Sequence, residues 1–194
     1  MTDKYPSTRS YAPPNSSVIV NFFFSYAQLK NIYRQGWLYK GVSKDHCESD
    51  VDHSFGVAML SYVVATEMRP DLDPLKVMEL GLFHEMGEIL VGDITPHDGV
   101  SKEDKMDRES AAVNEVFSKL PHGQKYISLW QEYAENQTPE AQFVKRIDKL
   151  ETVLQASLYE RMGNTGLDEF FSHYNAMLND ETFQPSLDEI LQLR

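Results

Sequence analysis

Apolar positions recur three and four residues apart along most of the chain, the spacing that lines one face of an α-helix. Residues 17–34, SVIVNFFFSYAQLKNIYR, predict a first helix, although its β-branched start also suits extended chain. QGWLYKGVSKDHCESD then reads as a connecting loop. Residues 50–68 predict a helix capped by Asp50, with Val51, Phe55, Ala58, Met59, Tyr62 and Val63 as its buried face. RPDLDP interrupts the pattern, and Asp73-Pro74 opens a helix running to about Leu90 and stopping near Gly92. Leu75, Met78, Leu82, Ile89 and Leu90 form its apolar face, widened by Leu80 and Phe83.

The polar stretch GDITPHDGVSK predicts a loop, and helices follow over 102–119 and 124–135. The longest pattern is 138–162, with Thr138 as N-cap, Pro139 in the first turn and Gly163 as the stop. Its stripe is Phe143, Val144, Ile147, Leu150, Leu154 and Leu158, and Asp148 falls at the edge of that stripe. Shorter helices are expected at about 167–179 and 186–193; these amphipathic segments suit either a homodimer face or a cap on the core. No internal repeat and no convincing strand pair is found. The expectation is a flexible tail over 1–16 and one all-α domain over 17–194.

Composition narrows the function classes. With 41% hydrophobic and 25% charged residues, 194 residues suffice for a buried core. No apolar run reaches the length of a membrane span, and the N-terminus lacks a signal-peptide pattern. A single cysteine, Cys47, excludes an intrachain disulfide and a thiolate zinc cluster; a reducing, cytoplasmic compartment is the expectation. The net charge of −12 disfavours a nucleic acid polymer as partner and favours divalent cations.

The chemistry concentrates in LGLFHEMGEILVGDIT, residues 80–95. His84 and Glu88 are four apart, so a continuous helix would stack them on one face, with Glu85 turned by about 100°. His53 lies in the first turn of the 50–68 helix. Burying such groups singly is costly, and a shared cation removes most of that cost. The mixed nitrogen and oxygen donors suit a divalent transition metal: Mn, Co, Fe, Ni or Zn. Plainer roles compete. His53 can be a helix-terminal histidine, Glu88 a solvated helix exit, Asp93 a turn residue and Asp148 a partner of Lys145 or Arg146. HEMGE is also not the zinc-protease pattern, which needs a second histidine four residues after the first.

DVDHSFGVAML, LFHEMGEILVGDIT and FVKRIDKLETVLQASLYE, in that order, resemble the HD-domain metal-dependent phosphohydrolases, in particular their 5'-deoxynucleotidase branch. The resemblance covers about residues 26–162 and implies a compact all-α HD bundle. It implies metal ligands at His53, His84, Glu85 and Asp148, a water-activating carboxylate at Glu88 and a second acid near the leaving oxygen at Asp93. In YRQGWLYK, Arg34 matches a phosphate-binding arginine and Trp37 an aromatic beside the sugar. The implied substrate is a nucleoside 5'-monophosphate. One position departs: the family's histidine–aspartate doublet is His84-Glu85 here. Two alternatives follow. A di-iron oxygenase of the same fold would need further histidines, for which His97 and His122 are the candidates. A degenerate module would bind a nucleotide without turning it over.

Overall fold

The computed structural model describes residues 12–175 and 182–192. Residues 1–11 of the expected tail, 176–179 of the predicted penultimate helix and residue 193 of the last lie outside these. In chain order the helices are α1 (Val18–Tyr26), α2 (Gln35–Tyr39), α3 (Asp50–Met68), α4 (Pro74–Phe83) and α5 (Glu88–Val91). They continue with α6 (Lys102–Phe117), α7 (Gly123–Glu135), α8 (Pro139–Arg161), α9 (Asp168–Asn175) and α10 (Gln184–Gln192). The fold is all-α; among the described residues the strand content is one isolated antiparallel bridge, Tyr33 to Ser49. No helix among them is long and apolar enough to cross a membrane.

Several boundaries follow their caps. Asp73 accepts from the backbone N–H groups of Leu75 and Lys76 and opens α4 ahead of Pro74, and Thr138 accepts from Ala141 at the start of α8. Gly92, with φ 78°, ends α5. The cap of α3 is Ser49 rather than Asp50: Ser49 and Asp52 form a reciprocal capping box, which leaves Asp50 inside the first turn and fully buried. The first predicted helix is shorter than its pattern, because the chain tightens into a 3-10 turn over Ala27–Asn31 and is extended at Ile32. The segment read as a loop holds α2.

The long helix predicted to run from Pro74 to about Leu90 is broken. His84 Nδ1 lies 2.7 Å from the Gly81 carbonyl, the oxygen a continuing helix would offer to the Glu85 N–H. Residues 84–87 form a tight turn, with Met86 N–H bonded to Phe83 O and Glu88 N–H to Glu85 O.

The buried face of α3 is not the one its large apolar residues predict. Phe55 is 61% exposed, and Met59, Tyr62 and Val63 also face outward. The inner face is His53, Ser54, Val57, Ala58, Ser61 and Ala65, mostly small residues that let α4 come close. A Cβ on Gly81 would lie 2.8 Å from the Ala58 Cα, so the two helices meet backbone to backbone there. On α4, likewise, Val77, Leu80 and Gly81 are buried whereas Leu75 and Leu82 are exposed. On α8 the expected stripe is buried from Phe143 to Leu150, but Leu158 is exposed and Asp148, Glu151 and Thr152 share the inner face. Leu167, Phe171 and Phe183 are buried in the core cluster around α8, so the C-terminal segments cap it.

Candidate metal centre and active site

Three helices deliver the central side chains. His53 comes from the first turn of α3, His84 from the C-terminal cap of α4 and Asp148 from the middle of α8. The Gly81–Ala58 approach brings the imidazoles together, with ring centroids 5.2 Å apart. One donor atom from each of His53, His84 and Asp148 falls within 4.8 Å of the others. His53 Nε2 is 3.3 Å from Asp148 Oδ1. His53 Nε2, His84 Nε2 and Asp148 Oδ1 are all buried without a hydrogen-bond partner.

The other atom of each group is held in place. His53 Nδ1 is 2.6 Å from Glu151 Oε2 and His84 Nδ1 bonds the Gly81 carbonyl. Asp148 Oδ2 accepts from the Tyr133 hydroxyl at 2.8 Å and from Lys149 Nζ at 2.9 Å. Three tethered groups with three orphaned atoms turned to a common point fit a divalent cation, and the donor set of two imidazoles and a carboxylate is chemically suited to one.

Glu85, expected as the fourth ligand, adjoins this point but is engaged elsewhere. Its Oε1 lies 3.5 Å from His84 Nε2 and 3.9 Å from His53 Nε2, yet only 2.6 Å from Arg34 Nη1. The stem one methylene longer than aspartate extends past the imidazoles to the guanidinium.

A cavity of about 460 Å³ opens above the centre, and Arg34, Trp37, Glu85, Glu88, Asp93 and Asp148 all line it. Glu88 is only 2% exposed, so it is no solvated helix exit. The turn before it also removes the single-face stacking with His84 expected of a continuous helix. Asp93 Oδ2 accepts the Gln35 backbone N–H at 2.6 Å, tying the chain after α5 to the start of α2. Trp37 is 2% exposed and its indole N–H donates to Glu48 Oε1 at 2.7 Å, so it is a core aromatic with one edge on the cavity. Asp148 pairs with Lys149, whereas Lys145 sits over the Tyr133 ring at 3.8 Å from its centroid.

Charge balance divides the acids into two kinds. Burial works against ionisation of Glu85, but His84, Arg34 and His53 overcome it and hold Glu85 down at about 2. Asp148 is likewise low despite burial, through Lys149 and the imidazoles. Glu88 and Asp50 are raised by burial and by neighbouring carboxylates. Burial and Arg34 oppose a proton on His53, yet Glu151 and Asp148 lift it to about 10, while burial depresses His84.

Sequence pattern gave no signal for several participants. Lys105 Nζ lies 3.2 Å from Glu88 Oε1 and 2.9 Å from the Ile94 carbonyl, but in sequence it is one cation in a charged helix. Phe170 of α9 packs on Trp37 with centroids 4.1 Å apart and lines the cavity. Asp50 reads as a cap. Glu151 was visible only as an acid one turn after Asp148. His97 lies on the cavity wall against Tyr39 and His122 is exposed at the cap of α7; neither belongs to the His53–His84–Asp148 group.

The family model for the HD domain matches residues 26–187. The chain is 34% identical over 183 residues to the 5'-deoxynucleotidase hdd1 of Schizosaccharomyces pombe, covering 91% of this chain and 90% of that one. It is also 34% identical over 156 residues to the human 5'-deoxynucleotidase HDDC2, covering 79% and 74%. The crystal structure of a Pyrococcus horikoshii protein superposes with a TM-score of 0.75 at 31% identity, covering 90% of this chain and 99% of that one. A match across most of the sequence, with two histidines and an aspartate from separate helices meeting at one buried point, places the chain in the HD-domain family.

Proposed function

We propose that the chain is a metal-dependent phosphomonoesterase that releases phosphate from nucleoside 5'-monophosphates, with deoxyribonucleotides as the first substrates to assay. The observation that carries this reading is the set of three buried, partnerless atoms, His53 Nε2, His84 Nε2 and Asp148 Oδ1, where Asp148 also lines a cavity shared with Arg34, Lys105 and Lys149. The names of the relatives supply the nucleotide.

His53, His84 and Asp148 would hold the cation, with Glu85 beside them. A bound divalent transition metal supplies Lewis-acid polarisation of a phosphoryl oxygen and lowers the pKa of water. The remaining work falls to the chain. Arg34 binds the phosphate oxygens, for which its planar fork is suited, once Glu85 yields to the substrate. Lys105 adds a second positive charge at the Glu88 side. Glu88 takes the proton of the attacking water, a contribution typically worth about 10²–10⁴-fold. Asp93, fixed by the Gln35 N–H, donates to the departing 5'-oxygen. Trp37 and Phe170 form the apolar wall for the sugar.

The test is phosphate release by the purified protein with Mn²⁺ or Co²⁺ from a panel of ribo- and deoxyribonucleoside monophosphates. Release confined to 5'-monophosphates is expected. No release from any of them, with the metal shown to be bound, overturns the reading; nucleotide-dependent thermal stabilisation without turnover would then favour a binding module.

A further inference from the structure

We infer that Glu151 is the positioning residue for the His53 ligand, and that Gly56 is glycine because the Glu151 carboxylate needs the space. The inference rests on the reading of His53, His84 and Asp148 as a metal centre and concerns how this chain prepares it.

A neutral imidazole carries one proton, and only the other nitrogen has a lone pair for a cation. His53 must therefore bear its proton on Nδ1 if Nε2 is to face Asp148 and His84. Glu151 Oε2 stands 2.6 Å from Nδ1, with His53 fully buried and Glu151 7% exposed, so water offers no substitute acceptor. The same contact fixes the rotation of the ring. α8 thus supplies both a ligand, Asp148, and the group that orients a second ligand on α3, three residues further along the same face.

Gly56 provides an independent observation. It lies in the interior of α3, where glycine is less favourable than alanine. A Cβ built there would fall 2.7 Å from Glu151 Oε1 and 3.3 Å from its Cγ. One turn beyond His53, the missing side chain leaves the notch through which the carboxylate reaches the imidazole. Glu48, itself held by the Trp37 indole N–H, has a carboxylate oxygen within 4.8 Å of donor atoms of both His53 and Glu151, so a second acid already shares the space around this contact. An alanine at 56 would displace Glu151 from Nδ1 even though it favours the helix.

The experiment measures Mn²⁺ affinity by calorimetry on the full chain for the wild type, Glu151→Ala, Glu151→Gln, Gly56→Ala and the double variant Gly56→Ala/Glu151→Ala, with circular dichroism as the folding control. Loss of an orienting partner typically weakens metal binding by about 10–100-fold, and that loss is expected for Glu151→Ala. Glu151→Gln keeps an acceptor of the same size and is expected to recover part of the affinity; it also carries the test should the alanine variant not fold. Gly56→Ala is expected to weaken binding in the wild-type background and to have no further effect once Glu151 is alanine. Wild-type affinity in Glu151→Gln and Gly56→Ala, or an undiminished Gly56→Ala effect in the absence of Glu151, overturns the inference. A wild-type protein that takes up no Mn²⁺ overturns the metal-centre reading itself and this inference with it.

Discussion

Arg34 Nη1 and Glu85 Oε1 lie 2.6 Å apart, so the cation suited to a phosphate is bonded to the acid that stands where the family's doublet has an aspartate. Both side chains are mostly buried, which makes the pair stronger than a surface bridge and harder for a substrate to open. Burial alone would disfavour the Arg34 charge, but Glu85, Asp93, Asp50 and Glu88 together keep the guanidinium firmly protonated. A phosphate entering the cavity must therefore displace Glu85 or share Arg34 with it.

Glu85→Asp tests this arrangement. The shorter stem withdraws from Arg34 and brings the carboxylate back toward the two imidazoles. Mn²⁺ affinity is expected to rise and KM for the nucleotide to fall by about tenfold, the order of one charge-assisted hydrogen bond. Calorimetry and steady-state kinetics read the two effects separately. An unchanged KM would show that the Arg34–Glu85 pair does not compete with phosphate.

Close helix contact makes Gly81 the next test. Its inner face touches the Ala58 backbone, and backbone cannot move aside as a flexible side chain can. Gly81→Ala is expected to destabilise the fold by about 1–3 kcal/mol, the usual range for overpacking. For a chain of this size that corresponds to a melting temperature lower by roughly 2–12 °C. Because the same contact sets the His53–His84 separation, Mn²⁺-dependent stabilisation should shrink in the variant as well.

How far this architecture could be read from sequence depended on the range of the forces involved. The Asp73 and Thr138 caps and the Gly92 stop act within one turn and are legible from composition alone. The inward face of α3 was not, because the small residues Ala58, Ser61 and Ala65 are buried by close backbone approach, a tertiary effect that outranks side-chain hydrophobicity. The break at His84 was hidden for a similar reason: the ring bonds a carbonyl within its own helix, and periodicity carries no trace of it. At the site, His53, His84 and Asp148 stood out from sequence only as a set, and the fold brings them together. Lys105 and Glu151 act on other side chains through space, and nothing in their local sequence separates them from ordinary helix-surface charges.

Proton linkage gives a signature for the metal-free protein. His53 is lifted from 6.5 to about 10, Glu48 from 4.5 to about 7, and Asp50 and Glu88 are raised as well. A group whose folded pKa is raised contributes stability in full below its unfolded value and loses it as pH rises through the folded value. These groups therefore lower metal-free stability between about pH 5 and pH 10, while His84 and Lys145, both depressed by burial, work the other way below their ordinary values. Glu85, lowered to about 2, acts oppositely: its contribution is present above about 4.5 and lost as pH falls through 2. A cation needs His53 deprotonated, so the stabilisation it confers should grow with pH over the same window. At a hundredfold excess over Kd that gain is about 2.7 kcal/mol, roughly 5–10 °C. Asp148→Asn should abolish the Mn²⁺-dependent shift. Thermal melts with and without Mn²⁺ across the range check both slopes, and parallel curves would contradict the assignment of His53 as a ligand.

Lys105 makes the final prediction, on catalysis rather than stability. Burial and the carboxylates of Glu85, Asp50 and Asp93 raise Glu88, and Lys105 is the cation that opposes them from 3.2 Å. Removing it leaves a base that holds its proton to higher pH. For Lys105→Met the acid limb of the kcat/KM profile is expected to move upward, and kcat at neutral pH to fall by about 10–100-fold, the range for a lost charge-assisted hydrogen bond. Lys105→Arg, which keeps the charge, should restore most of the profile. Glu88→Gln should instead flatten the acid limb and cost about 10²–10⁴-fold, since a base that cannot titrate leaves nothing for Lys105 to tune. Combining Lys105→Met with Glu88→Gln should then add little to Glu88→Gln alone. Full additivity of the two losses would mean that Lys105 acts on phosphate independently of Glu88.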